Sequence, residues 1–179
     1  MTQLIKEKGL VIVNTGNGKG KTTAALGMMM RAWGNKMRVV MLQFIKDEKV
    51  NCGEINAALQ MGLEIIPLGS GLISKNGSDE IAISKALEGW ERAKNFITGG
   101  SYDMVILDEF TYLLNFKWLE VNECISWLRK SKPLMLHLVI TGRNAPLELI
   151  EYADLVTEMK IIKHPYREQS ILAQIGVEY

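Results

Sequence analysis

Short runs of aliphatic and β-branched residues alternate along the chain with longer stretches in which apolar positions recur every three or four residues. The first run, residues 10–13 (Leu-Val-Ile-Val), reads as a buried strand, and residues 23–33, rich in Ala, Leu and Met, read as a helix. A second strand at 38–44, a helix at 54–61 and a third strand at 63–68 follow. In the stretch 79–97, Ile83, Leu87, Trp90, Ala93 and Ile97 fall at helical spacing. Strands at 104–107 and 134–140 flank a helix at 119–130, and a short helix near 146–152 leads into a last strand near 155–161.

Strands that are apolar throughout and alternate with helices predict a parallel sheet covered on both faces. The fold class expected is therefore α/β: a P-loop, RecA-like three-layer sandwich with a mostly parallel sheet, spanning residues 1–179 as one domain. In open sheets of this kind ligands bind beyond the carboxyl ends of the strands, so chemistry is sought there. The loop at 69–78 carries three glycines, and a connection of that length is often functional.

Composition narrows the function classes. With 179 residues the chain suits one domain, and 47% apolar residues suit a packed core. A net charge of +1 with both signs interspersed leaves no footprint for nucleic acid or a membrane surface. Cys52 and Cys124 are too few and too far apart for a metal knuckle or a disulfide framework. No apolar run approaches the roughly 20 residues needed to span a bilayer, and a cytoplasmic location is expected. The ten methionines read as gap-filling core residues, and Trp90 and Trp127 as core residues on apolar helical faces.

Chemistry concentrates in Thr15-Gly16-Asn17-Gly18-Lys19-Gly20-Lys21-Thr22-Thr23, between the first strand and the first helix. Glycines let backbone N–H groups turn inward toward phosphate oxygens, and the helix that follows offers free N–H groups to the same anion. Lys21 is placed to reach the terminal phosphates and the Thr22 hydroxyl to ligate Mg²⁺. The usual pattern G-x-x-x-x-G-K-[ST] is one residue short here, because Thr15 stands where the first glycine belongs.

The strand at 104–107 ends in Asp108 and Glu109, where a phosphate-binding loop needs an acid for its magnesium. Thr141-Gly142-Arg143 follows the fifth strand, and Arg143 can either clamp phosphate oxygens through its planar fork or join a surface ion pair. Gln43 to Lys46 offers a polar lining to the same edge. His137 sits mid-strand among apolar residues and reads as a core histidine, whereas His164, beside Lys163, is the better site candidate.

Taken together, these residues resemble the ATP:corrinoid adenosyltransferases, over about residues 9–179. The landmarks are the loop with Ala24-Ala25, Gln43-Phe44-Ile45-Lys46, Leu107-Asp108-Glu109-Phe110-Thr111-Tyr112 and Ile140-Thr141-Gly142-Arg143. Ala153-Asp154, Lys163-His164 and the terminal Gln174-Ile175-Gly176-Val177-Glu178-Tyr179 complete them. The shortened loop is that family's own form. The resemblance implies attack of the cobalt(I) of a reduced corrinoid on C5′ of ATP, with inorganic triphosphate leaving and no protein nucleophile. It implies ATP held in reverse along residues 15–23, a magnesium served by Thr22 and Glu109, a phosphate contact from Arg143 and a family position at Arg31. It also implies a homodimer and a reductant protein such as a flavodoxin. Leu72 and Ser74 stand where better-known members carry a Phe and a Trp against the corrinoid's lower face, and no counterpart of their extra N-terminal segment precedes the first strand. A P-loop kinase or ATPase, and a non-catalytic corrinoid or nucleotide sensor, remain the alternatives.

Overall fold

A computed structural model describes residues 7–47, 52–71 and 77–178. The strands are β1 (Val11–Thr15), β2 (Val39–Gln43), β3 (Glu64–Pro67), β4 (Met104–Asp108), β5 (His137–Thr141) and β6 (Leu155–Glu158). They form one sheet in the order β3-β2-β4-β5-β1-β6 with every neighbouring pair parallel, where sequence predicted a mostly parallel sheet. Around it lie α1 (Lys21–Gly34), α2 (Gly53–Met61), α3 (Glu80–Thr98), α4 (Thr111–Asn115), α5 (Val121–Ser131), α6 (Leu147–Tyr152) and α7 (Pro165–Gln169).

The alternation of strand side chains builds two cores. Val11, Val13, Val40, Leu42, Val105, Leu107, Leu138 and Ile140 point to one face, where α3 supplies Trp90, Ala93 and Ile97 and α5 supplies Ile125 and Leu128. Ile12, Val39, Met41, Ile106 and Val139 point to the other, against Ala25, Met29 and Ala32 of α1. Each fully buried aliphatic side chain contributes roughly 1.5–3 kcal/mol, so both faces must be covered for the sheet to persist. Trp90 stacks edge-on against Trp127 at 5.4 Å, and Met29 and Met41 are buried as expected, whereas Met30 and Met135 are exposed.

Three differences from the sequence reading have local causes. Beyond β6 the chain docks on the loop after β1: Met159 N–H donates to Thr15 O (2.8 Å) and Gly18 N–H donates to Met159 O (2.7 Å), so the strand stops at Glu158 rather than near 161. The helices α4 and α7 are one turn each and too short to show a period in sequence. His137 is half-buried at the start of β5, where its Nδ1 accepts the N–H of Leu10 (3.1 Å); it ties together the amino ends of β1 and β5 rather than filling the core. Among the described residues no helix is long and apolar enough to cross a membrane.

The docking on Met159 gives Gly16 and Gly18 a role in packing. A Cβ on Gly16 would lie 2.4 Å from Met159 O, and one on Gly18 would lie 2.6 Å from Met159 C. Gly18→Ala is expected to lower stability by about 1–3 kcal/mol in urea unfolding, as overpacking against backbone does. Gly27→Ala, mid-helix with open space around it, should raise it by about 0.5–1 kcal/mol. A Gly18→Ala protein as stable as the parent would contradict the packing role.

Candidate functional site

The loop between β1 and α1 is built to leave donors free. Gly16 (φ 95°) and Gly20 (φ 103°) take left-handed backbone that turns the chain sharply, and Gly20 caps α1 without any side-chain hydrogen bond. No acidic side chain sits in the first turn of α1, so its first N–H groups face the cleft with the positive end of the helix dipole. An anion is the natural partner of such an end. Lys21 curls back over the loop, its Nζ donating to Gly16 O (2.8 Å) and Gly18 O (2.6 Å).

Facing the loop is a hydrogen-bonded acid at the carboxyl end of β4. Asp108 is completely buried, and its Oδ1 accepts from the Thr22 hydroxyl (2.9 Å) and the Thr141 hydroxyl (2.6 Å). Its Oδ2 accepts from Gln43 Nε2 (3.2 Å). Thr141 Oγ1 in turn accepts the N–H of Glu109 (2.9 Å). Glu109 itself adopts φ 60°, a left-handed conformation that a non-glycine residue takes only when its surroundings force it. The turn aims the Glu109 side chain into the cleft while Asp108 stays beneath it.

After β5, Gly142 (φ 145°) passes so close to Thr111 that a Cβ would meet Thr111 Oγ1 at 2.0 Å. The Thr111 hydroxyl and Asn115 Nδ2 both donate to Arg143 O (2.7 and 2.9 Å), so the short helix α4 pins the segment that carries Arg143. Thr15 is also structural: it is buried at the end of β1 and its Oγ1 accepts the N–H of Ala145 (3.0 Å). A threonine fits where the longer pattern has glycine because the left-handed turn begins one residue later, at Gly16.

These groups wall a cleft of about 530 Å³ whose charges are incomplete. Burial, followed by the nearby positive charge of Arg143, lowers the pKa of Lys21, against the opposing pull of Glu109 and Asp108. Burial, followed by the Asp108 carboxylate, pushes Glu109 from 4.5 up to about 6 although Lys46, Lys21 and Arg143 oppose it. Each charged form is therefore strained without a ligand of opposite sign. At one wall Lys46 pairs with Glu54; burial disfavours its ammonium, but the hydrogen bond and charge of Glu54 outweigh that and raise its pKa. At the mouth Glu178 of the C-terminal segment forms an ion pair with Lys19 of the loop.

The family model for "ATP:corrinoid adenosyltransferase BtuR/CobO/CobP" matches residues 7–179. The chain belongs to this family. A corrinoid adenosyltransferase of Sinorhizobium sp is 42% identical, the match covering 97% of this chain and 81% of that one. A corrinoid adenosyltransferase of Escherichia coli K12 is 37% identical over all of this chain and 90% of its own length. Among solved structures, the flagellar accessory protein FlaH of Methanocaldococcus jannaschii superposes with a TM-score of 0.59 at 12% identity, covering 87% of this chain and 73% of that one, and shares the fold alone.

Of the residues singled out from sequence, the structure gathers Gly18 to Thr23, Glu109 and Arg143 around the cleft. Asn17 lies on the outer side of the loop, Lys19 borders both sides, and Thr15, Gly16 and Asp108 lie beneath its surface. Arg31 is not brought in: it is exposed in the last turn of α1, roughly 15 Å along the axis from Lys21 at 1.5 Å per residue. Leu72 and Ser74 lie outside the described residues. Sequence reasoning missed the Thr141 and Gln43 bonds to Asp108 and the reach of Glu178 to Lys19. Polar residues ending otherwise apolar strands were the available signal for the first two.

Glu109 makes the ligand-free protein pH-sensitive. The folded state binds this proton more tightly than the unfolded chain, so the carboxyl costs nothing below about pH 4.5 and costs stability as pH rises through about 6. Glu109→Gln is expected to stabilise the ligand-free protein by about 1–2 kcal/mol at pH 7 and by little at pH 4.5, read from unfolding midpoints across pH. Equal stability of the two proteins at pH 7 would contradict this assignment.

Proposed function

We propose that this protein transfers the 5′-deoxyadenosyl group of ATP to the cobalt(I) of a reduced corrinoid in adenosylcobalamin synthesis. The observation that carries the reading is the loop cleft itself. Uncapped N–H groups of α1, Lys21 and Arg143 converge there, opposite the Glu109 carboxylate held by the Asp108–Thr141 network. Such a site grips a triphosphate, and the hydroxyls of Thr22 and Thr141 that touch the Asp108 carboxylate are tied into the buried network that shapes the cleft. Cobalt(I) supplies the electron pair for the new Co–C5′ bond, the C5′–O bond breaks, and its electrons leave with triphosphate. The protein's share is to hold C5′ exposed and stabilise charge on the leaving group.

Residues 16–23 and Arg143 bind the triphosphate, Lys21 leaving the carbonyls of Gly16 and Gly18 for phosphate oxygens. The donor set fits Mg²⁺, which prefers oxygen and keeps waters and phosphates among its ligands, so few protein groups suffice. Thr22 and Glu109 would hold it, with Asp108 orienting Thr22 from below; bound there, it would neutralise charge on the leaving triphosphate. Arg31 lies away from this cleft, so any contact it makes with nucleotide would belong to the homodimer we expect. A reductant protein such as a flavodoxin would supply cobalt(I), and Leu72 and Ser74 would face the corrinoid.

The competing reading is hydrolysis or transfer of the terminal phosphate, which a Glu109 carboxyl titrating near 6 could serve as base. Anaerobic incubation with ATP, Mg²⁺ and chemically reduced cobalamin separates the two. Adenosylcobalamin and intact triphosphate in equal amounts are expected, with Lys21→Ala slower by about 100-fold or more. Steady orthophosphate release without corrinoid would overturn the proposal.

A further inference from the structure

The segment after α7 comes back over the nucleotide cleft. Ser170 (φ 54°) ends α7 in a left-handed turn, and the Ile171 N–H donates back to Pro165 O (3.3 Å). A second turn has Gly176 at φ 78° and is closed by the N–H groups of Val177 (3.2 Å) and Glu178 (2.9 Å), both donating to Gln174 O. It brings Gly176, Val177 and Glu178 into the cleft wall beside Gly18 to Thr23. At its end Glu178 pairs with Lys19, which lies between two glycines of the loop.

Apolar packing holds this segment lightly. Every residue from 165 to 178 is exposed, and Leu172, Ile175 and Val177 leave their side chains in solvent. Segments that bury so little apolar surface open at small free-energy cost. The Glu178 side chain departs from that pattern, being only 21% exposed where it meets the loop. Charge draws it there: the first N–H groups of α1, Lys21 and Arg143 face the same cleft. The chain's own carboxylate thus sits against a loop built for anions.

We infer that Glu178 is an autoinhibitory contact: its carboxylate occupies Lys19 in the ligand-free protein, and a polyphosphate entering the loop exchanges with it and frees the segment at 170–178. The inference rests on the loop binding a polyphosphate, as proposed above. Carboxylate and phosphate oxygens are alternative partners for one ammonium, so the two compete. Because Glu178 is tethered, it competes at a high effective concentration whatever the amount of ligand. The coupling is reciprocal: whatever the pair takes from ligand affinity, the ligand takes from the pair.

Calorimetric titration of the full chain with inorganic triphosphate and Mg²⁺ reads the competition. Glu178→Gln should bind about two- to fivefold more tightly than the parent, the range expected for one partly exposed ion pair. With Lys19→Gln already present, Glu178→Gln should change the affinity by less than about 1.5-fold, which assigns the effect to this pair rather than to net charge. Hydrogen exchange gives a second reading on the parent: triphosphate should speed exchange of the Val177 and Glu178 amides while slowing that of residues 18–23. Unchanged affinity in Glu178→Gln overturns the inference. Weaker binding overturns it too, because the segment would then be part of the ligand's seat, and so does slower exchange at 177–178. Failure of the adenosyl-transfer proposal would look different: the same competition between triphosphate and Glu178, with no adenosylcobalamin formed.

Discussion

A completely buried carboxylate is costly unless every oxygen is matched, and Asp108 is the point on which the site hangs. Its three donors come from three elements: Thr22 from the start of α1, Gln43 from the end of β2 and Thr141 from the end of β5. One side chain thereby fixes the depth at which α1 begins, the register of three strand ends and, through Thr141, the backbone of Glu109. Removing Thr141 would take one of two donors from Asp108 Oδ1 and leave the Glu109 N–H without its partner, the latter costing about 1–3 kcal/mol. The strained φ of Glu109 survives because this network over-determines it.

The glycine loop is held from the opposite side by Met159. Its glycines answer two demands, and the structure separates them. Gly16 and Gly18 admit the backbone of the segment after β6, whereas Gly20 has little around it and serves the turn into α1. The loop is thus clamped between a buried acid network and an edge segment, which keeps its N–H groups aimed before any ligand arrives. Preorganised donors of this kind need no rearrangement when charge develops on a leaving group.

Much of this was legible in the sequence because burial on both faces writes itself as uninterrupted apolar runs. The strands at 11–13, 104–107 and 138–140 fell where those runs did, and the phosphate loop was recognisable from Gly20-Lys21-Thr22 between a strand and a helix. What escaped depended on contacts between distant residues. The sequence shows Asp108 and Glu109 as adjacent acids, and only the fold sends one beneath the surface and the other into the cleft. The one-turn helix at 111–115 holds Arg143 by its carbonyl, a bond across 32 positions that no local pattern announces. Arg31, a site residue by resemblance, lies in the last turn of α1, outside the cleft of its own chain.

The opposite departures of Lys21 and Glu109 from their ordinary pKa values describe a cleft that wants both signs of charge at once. A phosphate chain alone would relieve Lys21 and aggravate Glu109; a metal ion alone would do the reverse. A metal–polyphosphate complex would relieve both, and the two ligands would then favour each other's binding through charge. Glu178 answers part of the cleft's positive charge by pairing with Lys19. The segment at 176–178 lines the same cleft. A site that grips the phosphates this fully can leave the adenosine end to the incoming cobalt, and that division suits a reaction in which the protein supplies position and the substrate supplies the nucleophile.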